Sequence, residues 1–452
     1  MTDRRPHRYL IRAACLVPFV VFAAVYGTAA GHGFINDDFI WIRDSRVSNW
    51  ADAAALFYQN SGFYRPLVSV SFALNEWMFG VNALGYGMTN VVLAFLCGGA
   101  IAALGKALGL SRCAAIFTAA LWMLNFHGLR AAVLWTSGRT SLLVTLMATL
   151  CALALVRGWL WPALIGLAAA LLSKEEAILL PLVLFTWLLV LRRPSSAWLI
   201  LATGVVLLYL AVRATTSAMT PWNAPSYYQP TLAIGHVWEN VTQYADRAGT
   251  TATLAMLGAF VLLGRVRPFL DPHVRTLGIL GIVWIVGGFA PTILLPVRSD
   301  LYACLPSVGV CLIAGAVCQR LWTGATAARR SRLLAVAIVA ILAATPIYVA
   351  RTERWRRLEE FSAAAMRDLA VLTAPVPEHA AVVIDDDVTT RFNLTSAAGS
   401  LLSDAHLVMT GRVLRLWIEP ALPGMIDAGE QAPCDTCVAL RLKVTGGHIV
   451  PR

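Results

Sequence analysis

The sequence predicts an α-helical integral membrane protein: a bundle of about eleven spanning helices, a large first outer loop and a small C-terminal α/β domain. Three observations carry this. Hydrophobic residues make up 58% of the chain and charged residues 13%, with a mean hydropathy of +0.68, whereas a soluble domain carries about 25% charged residues. Apolar runs near the ~20 residues that cross a bilayer recur along the chain. Basic residues gather in alternate connections.

The runs lie near 10–30, 88–105, 113–127, 140–156, 158–172, 177–191, 197–213, 248–264, 276–296, 302–319 and 333–350. The first is long, lacks a small-x-small cleavage site and precedes many more, so it reads as an anchor rather than a removed signal. With the N-terminus (Arg4, Arg5, Arg8, Arg12) in the cytoplasm, sixteen lysines and arginines fall inside, among them Lys106, Arg112, Arg192, Arg193, Arg265, Arg267, Arg320, Arg329 and Arg330; eight lie in the outer loops up to Arg298. This positive-inside pattern predicts a multi-pass protein of the cytoplasmic (inner) membrane with its C-terminal domain extracytoplasmic. It also accounts for most of the net charge of +11, so the lipid bilayer is the expected partner and nucleic acid is not. Acidic residues show the opposite bias: Asp3 and Asp271 inside, ten in the outer loops.

The chain divides into a transmembrane bundle over 1–350, with the first outer loop at 31–87, and a small outer domain over 351–452. In the loop, Ser48-Asn49-Trp50-Ala51-Asp52 followed by an apolar stretch reads as a capped helix lying in the interface. The tail brings charged residues back and carries β-type runs at Ala381–Ile384, Val413–Ile418 and Val438–Val444. Seven cysteines sit in or beside apolar runs as small hydrophobes. Cys434 and Cys437 form a C-x-x-C in the tail and are the disulfide candidate; two cysteines are too few for zinc. Asp385-Asp386-Asp387 reads as an acidic turn after a strand, and His127 as an interfacial histidine.

Asn36-Asp37-Asp38 stands just after the first span. A charge at the bilayer centre costs ~2.5–3.5 kcal/mol on insertion scales, so the pair belongs at the membrane edge or in a wet cavity. Adjacent carboxylates repel, which can hold one at a raised pKa suited to proton transfer. Four outer motifs each bring one cation to the same rim: Tyr64-Arg65-Pro66-Leu67, Trp135-Thr136-Ser137-Gly138-Arg139, Ser173-Lys174-Glu175-Glu176 and Pro296 to Tyr302 with Arg298. Arg offers phosphate a planar fork and Lys a point charge, so the set suits an anionic lipid head group. Snorkelling into the head-group layer is the plainer use of any one of them.

The stretch from Phe34 to about Gly309 resembles the GT-C class of polyprenyl-phosphate-sugar-dependent glycosyltransferases, and within it the protein O-mannosyltransferase clan and bacterial relatives of transmembrane-and-TPR mannosyltransferases. The motifs are Phe34 to Asp38; Phe63 to Leu67 running on through Phe72-Ala73-Leu74 and Phe79-Gly80; Gly85-Tyr86 with Thr89-Asn90; Trp135 to Arg139; Leu172 to Glu175; and Tyr302 with Leu305 to Gly309. The resemblance implies a GT-C-type bundle that transfers a sugar from a polyprenyl-phosphate-linked donor to a protein, lipid or glycan. Asp37 would be the catalytic base and Asp38 its partner; Arg65, Arg139, Lys174 and Arg298 would contact the donor phosphate; Tyr64, Glu175 and Tyr302 would line the substrate cavity. No cofactor is expected, a divalent metal on the Asp pair being the alternative. The chain departs from its relatives at Gly87-Met88 before Thr89-Asn90, at Phe126-His127-Gly128, and at Leu301 before Tyr302, and it lacks TPR helices. A proton-coupled transporter or flippase is the competing class, but no internal repeat of the transporter kind is visible.

Overall fold

A computed structural model describes residues 5–58, 62–220, 223–264, 268–421 and 432–452. Arg4, Arg265, Arg267 and Asp3 lie outside these, as do the side chains of Arg5, Arg8 and Arg12. Each apolar run overlaps a helix, but 113–127 is divided between Arg112–Met123 and Phe126–Leu134 and 276–296 outlasts Pro272–Phe289. Among the described residues, six helices are long and apolar enough to cross a membrane, or seven if Arg112–Met123 and Phe126–Leu134, bent by 67°, form one span. The protein is an integral membrane protein of mixed long and short helices.

Helix lengths position the site. Leu160–Leu171 and Leu180–Val190 have 12 and 11 residues, so at 1.5 Å per residue each rises about 18 Å or less, against ~30 Å of hydrocarbon. The turn joining them, Leu172 to Leu179, is thereby drawn into the bundle, and Lys174 and Glu176 are both 3% exposed. In the first loop, Trp50–Ala55 starts with the expected cap: the Asn49 side chain accepts from the Asp52 N–H, and Asp52 bonds back to the Asn49 backbone. Trp50 at its head is 93% exposed, as an interfacial anchor requires.

Connections segregate to two ends. One end gathers the first loop, the turns at 135–139, 173–176 and 299–302, and the tail, joined by contacts such as Leu67 N–H to Leu172 O (3.0 Å) and the Trp135 indole N–H to Ile35 O (3.4 Å). The other end holds the basic turns. There Ser111 N–H donates to Gln319 (2.7 Å) and Arg320 pairs with Asp271 (3.0 Å).

The final helix, Ala327–Leu372, runs unbroken through residue 350 for 46 residues, about 69 Å. Its second half leaves the bundle and carries the tail, an α/β unit as predicted. Strands β1 (Ala381–Asp385), β2 (Arg415–Glu419), β3 (Val438–Thr445) and β4 (His448–Pro451) form one sheet in the order β2-β1-β3-β4. The first three are parallel to one another where paired; β3 and β4 form an antiparallel hairpin around Gly446 and Gly447, both at positive φ. Cys434 and Cys437 form a disulfide at the start of β3. A large apolar core fills the bundle. A second core joins Phe34, Phe39, Trp41, Ile42 and Phe72 of the first loop to Phe361, Ile384, Leu416 and Leu442 of the tail. Loop and tail fold as one body.

Candidate active site

The backbone at Asn36 adopts φ +48°, a left-handed conformation that Asn tolerates better than most residues. The reversal starts the short helix Asp38–Asp44 and sends the two carboxylates opposite ways. Asp38 turns inward and is 1% exposed. It accepts from Ile35 N–H (3.0 Å), from Ser137 N–H (2.7 Å) and from the Ser137 hydroxyl, tying the loop to the Trp135–Arg139 turn. Burial pushes its pKa to about 7; those hydrogen bonds pull the other way and the neighbouring Asp37 charge adds to the rise. Asp37 turns outward and is exposed, and its carboxylate has no hydrogen-bond partner among the described residues. The crowding around it raises its pKa above the ordinary aspartate range, against the pull of Arg65.

Arg65 stands at the head of the helix Pro66–Phe79. Its Nε and Nη2 donate to Glu175 at 3.0 and 2.6 Å, and its guanidinium lies 4.1 Å from the Phe63 ring centroid. Burial would raise the Glu175 carboxyl, but the Arg65 charge and hydrogen bonds outweigh it and hold the pKa down at about 2. Behind this pair, Lys174 Nζ lies 2.5 Å from Glu176, donates to Ser141 Oγ at 3.0 Å and sits 4.8 Å over the Tyr302 ring. Burial raises the Glu176 pKa despite the ammonium. Tyr64 packs in the wall against Tyr209, ring centroids 5.8 Å apart. Arg65 and Glu175 thus form one ion pair beside Asp37, and Lys174, Glu176 and Tyr302 form a second, buried group behind it.

Two predicted phosphate ligands are committed elsewhere. Arg139 is 0% exposed. Its donors go to Asn90 Oδ1, Ser71 O and Tyr86 O, each at 3.2 Å, and its guanidinium lies over the rings of Phe72 (4.2 Å) and Tyr86 (5.5 Å). The first loop folds over this arginine, which braces it from beneath. Arg298 donates to Asn240 (2.8 Å) and to both oxygens of Glu239 (2.6 and 2.5 Å) on the helix Ile234–Leu263. Asp38, for its part, is a loop anchor without solvent access.

Sequence reasoning missed three residues. Arg213, at the end of Ser196–Ala214, donates to the Tyr209 hydroxyl (3.3 Å) and to Met219 O (2.6 Å), and forms no ion pair among the described residues. Its position near the end of an apolar run is the available signal. Tyr228 packs edge-on to Phe63 (5.6 Å); burial lifts its pKa to about 12, with Arg65 lowering and Asp37 raising it, so it faces both charges. Tyr244, 1% exposed, stacks on Phe289 and meets Tyr302 edge-on. His127 lies apart, 3.2 Å from Arg351. Asp386 is an internal anchor that accepts from Leu394 N–H, Thr395 N–H and the Thr395 hydroxyl. No cluster of three or more His, Cys, Asp or Glu placed to hold a metal occurs among the described residues.

No family model and no curated protein matches the sequence. Among solved structures the likeness spans nearly the whole chain. The fold is that of ArnT. The structure of ArnT from Cupriavidus metallidurans bound to undecaprenyl phosphate superposes with a TM-score of 0.53 at 12% identity, over 90% of this chain and 86% of that one. The apo state of the same protein gives 0.52 at 13% identity, over 94% and 89%. At such identity the likeness is one of architecture alone.

Proposed function

We propose that the protein is a membrane glycosyltransferase, which moves a sugar from a polyprenyl-phosphate-linked donor to an acceptor hydroxyl on the extracytoplasmic side. One observation carries the reading. Asp37 is an accessible carboxylate with no hydrogen-bond partner among the described residues, set beside Arg65 on a fold whose solved counterpart binds undecaprenyl phosphate. The acceptor oxygen attacks the anomeric carbon, its proton passes to Asp37, and the bond from that carbon to the phosphate oxygen breaks. The departing polyprenyl phosphate gains one negative charge, which Arg65 and Arg213 are placed to neutralise. This is general-base catalysis with electrostatic stabilisation of the leaving group, and two guanidiniums supply the positive charge a metal otherwise would. The raised pKa of Asp37 favours its taking up the acceptor's proton. A hexose donor and a protein, lipid or glycan acceptor of the mannosyltransferase kind are the substrates that the sequence motifs favour.

The test is direct. Purified protein in lipid nanodiscs is offered a panel of radiolabelled polyprenyl-phosphate sugars together with membrane extract. Label is expected to move from the lipid into an acceptor fraction with release of polyprenyl phosphate. Movement of intact labelled lipid across a bilayer, with no new glycosidic bond, refutes the proposal in favour of a flippase.

A further inference from the structure

Four of the five residues that precede Asp37 hang from the tail and the last helix. The Glu359 carboxylate, 1% exposed, accepts from His32 N–H at 2.9 Å, and the Gly33 N–H is turned toward it as well. Gly33 lies so close to this helix that a Cβ there would stand 2.2 Å from Glu359 O. One turn on, the Ser362 hydroxyl donates to Phe34 O at 2.6 Å. Asn36 N–H donates to Ala397 O at 2.8 Å, and its side-chain amide reaches Ser396 O at 3.4 Å. Those carbonyls belong to the short helix Leu394–Ala397, whose start is held by Asn393 and Asp386. Beyond the site, Arg43 pairs with Asp404, and Arg46 donates to Val408 O at 2.7 Å.

On the reading of Asp37 as the base, we propose that the tail is a positioning element of the active site and that Glu359 is its principal positioning residue. The physical reason is that the bundle holds this segment at Ile35 and Asp38, through Trp135 and Ser137, whereas His32, Gly33, Phe34 and Asn36 lean on the tail and the last helix. Asp37 has no side-chain partner among the described residues, so its place is set by its backbone. That backbone emerges from the first span, and its approach to Ile35 is set by the contacts with the last helix. A buried carboxyl oxygen that accepts a backbone N–H is a directional anchor, because losing it leaves that N–H unpaired. A base displaced by 1 Å loses on the order of 10²-fold in rate. Glu359 contacts no atom of the reaction; it acts through the loop.

Glu359→Ala, Glu359→Gln and Ser362→Ala are compared in the full-length protein in nanodiscs. Two readouts are taken: steady-state transfer and amide hydrogen exchange over residues 31–38 and over the tail sheet. Glu359→Ala is expected to lower kcat about 10²-fold with donor KM within about twofold, because the phosphate-binding cations are untouched. Exchange should rise at 31–38 and stay unchanged in β1 and β3. Glu359→Gln keeps an acceptor oxygen and should recover most of kcat and of the protection. Wild-type kcat and wild-type exchange at 31–38 in Glu359→Ala overturn the proposal. So does a rise in exchange spread evenly over the tail sheet, which marks a general prop of the fold. If Glu359→Ala does not assemble, Ser362→Ala decides: local deprotection at 31–38 supports the proposal and full protection overturns it. Absence of transfer by the wild type with every donor refutes the glycosyltransferase reading, and the exchange arm then still decides whether Glu359 holds the loop.

Discussion

Asp37 and Asp38 are neighbours in sequence with opposite environments, so the same isosteric change should have opposite effects. Asp37→Asn removes the proton acceptor. A positioned general base contributes about 10²–10⁴-fold, so turnover should fall by that factor, about 3–5 kcal/mol of barrier. Because the carboxylate has no hydrogen-bond partner among the described residues, unfolding stability should stay within ~0.5 kcal/mol. Asp38→Asn does the reverse. Its two oxygens accept from Ile35 N–H on one side and from Ser137 on the other; whichever way the new amide is turned, its NH₂ faces a donor. The cost is about 1–3 kcal/mol of stability, with activity lost only as the loop loosens. The pH profile supplies the sign. The base must be ionised, and the desolvating crowding around Asp37 raises its pKa, so kcat/KM should fall as pH drops through a value above the ordinary aspartate range of ~3.9. The residual activity of Asp37→Asn should lack that limb. Label transfer in nanodiscs, set beside thermal unfolding of the same samples, checks all of this. Full turnover in Asp37→Asn, or a loss of stability there with none in Asp38→Asn, refutes the division of roles.

Arg139→Gln should destabilise the protein by about 2–4 kcal/mol, because buried acceptors on Asn90, Ser71 and Tyr86 lose their donor; donor KM in the folded fraction should not change. A raised KM at unchanged melting temperature would restore Arg139 as a phosphate ligand. Arg213→Gln should behave conversely. Loss of one charge-assisted contact worth about 1.5–3 kcal/mol raises donor KM by roughly tenfold or more, while the melting temperature moves little. Steady-state kinetics against donor concentration separates the two.

Much of this was legible locally. Apolar runs marked the helices because spanning length is a composition signal. The Asn49–Asp52 cap and the first three tail strands are likewise short-range patterns, as is the cysteine pair. What escaped the sequence depends on long-range pairing. Nothing in Asn36-Asp37-Asp38 says which carboxylate turns inward; the Ser137 N–H decides that from across the bundle. Arg139 and Arg65 look alike as rim arginines. One is roofed by Phe72 and Tyr86 and the other opens onto Asp37. Strand β4 is too short to announce itself, and the shared core of loop and tail involves residues more than 300 positions apart, such as Phe34 and Phe361.

In the proposed reaction, the partners of the cations favour Arg65 over Lys174 as the residue that would meet the donor. Each has a glutamate: Arg65 has Glu175, Lys174 has Glu176, and Arg298 has Glu239. A buried charge without a partner is costly, so a cation held inside an apolar bundle while the donor is absent needs a built-in counter-charge. That counter-charge must not consume the capacity to bind phosphate. An ammonium, whose attraction is that of a point charge, is largely spent on the carboxylate 2.5 Å away. A guanidinium is not: Arg65 uses Nε and Nη2 for Glu175, which leaves the Nη1 donors free to turn toward Asp37 and the phosphate. In the proposed reaction the arginine would meet the phosphate desolvated, oriented and still able to donate, and Arg213 would supply the second charge from a helix end that carries no carboxylate of its own.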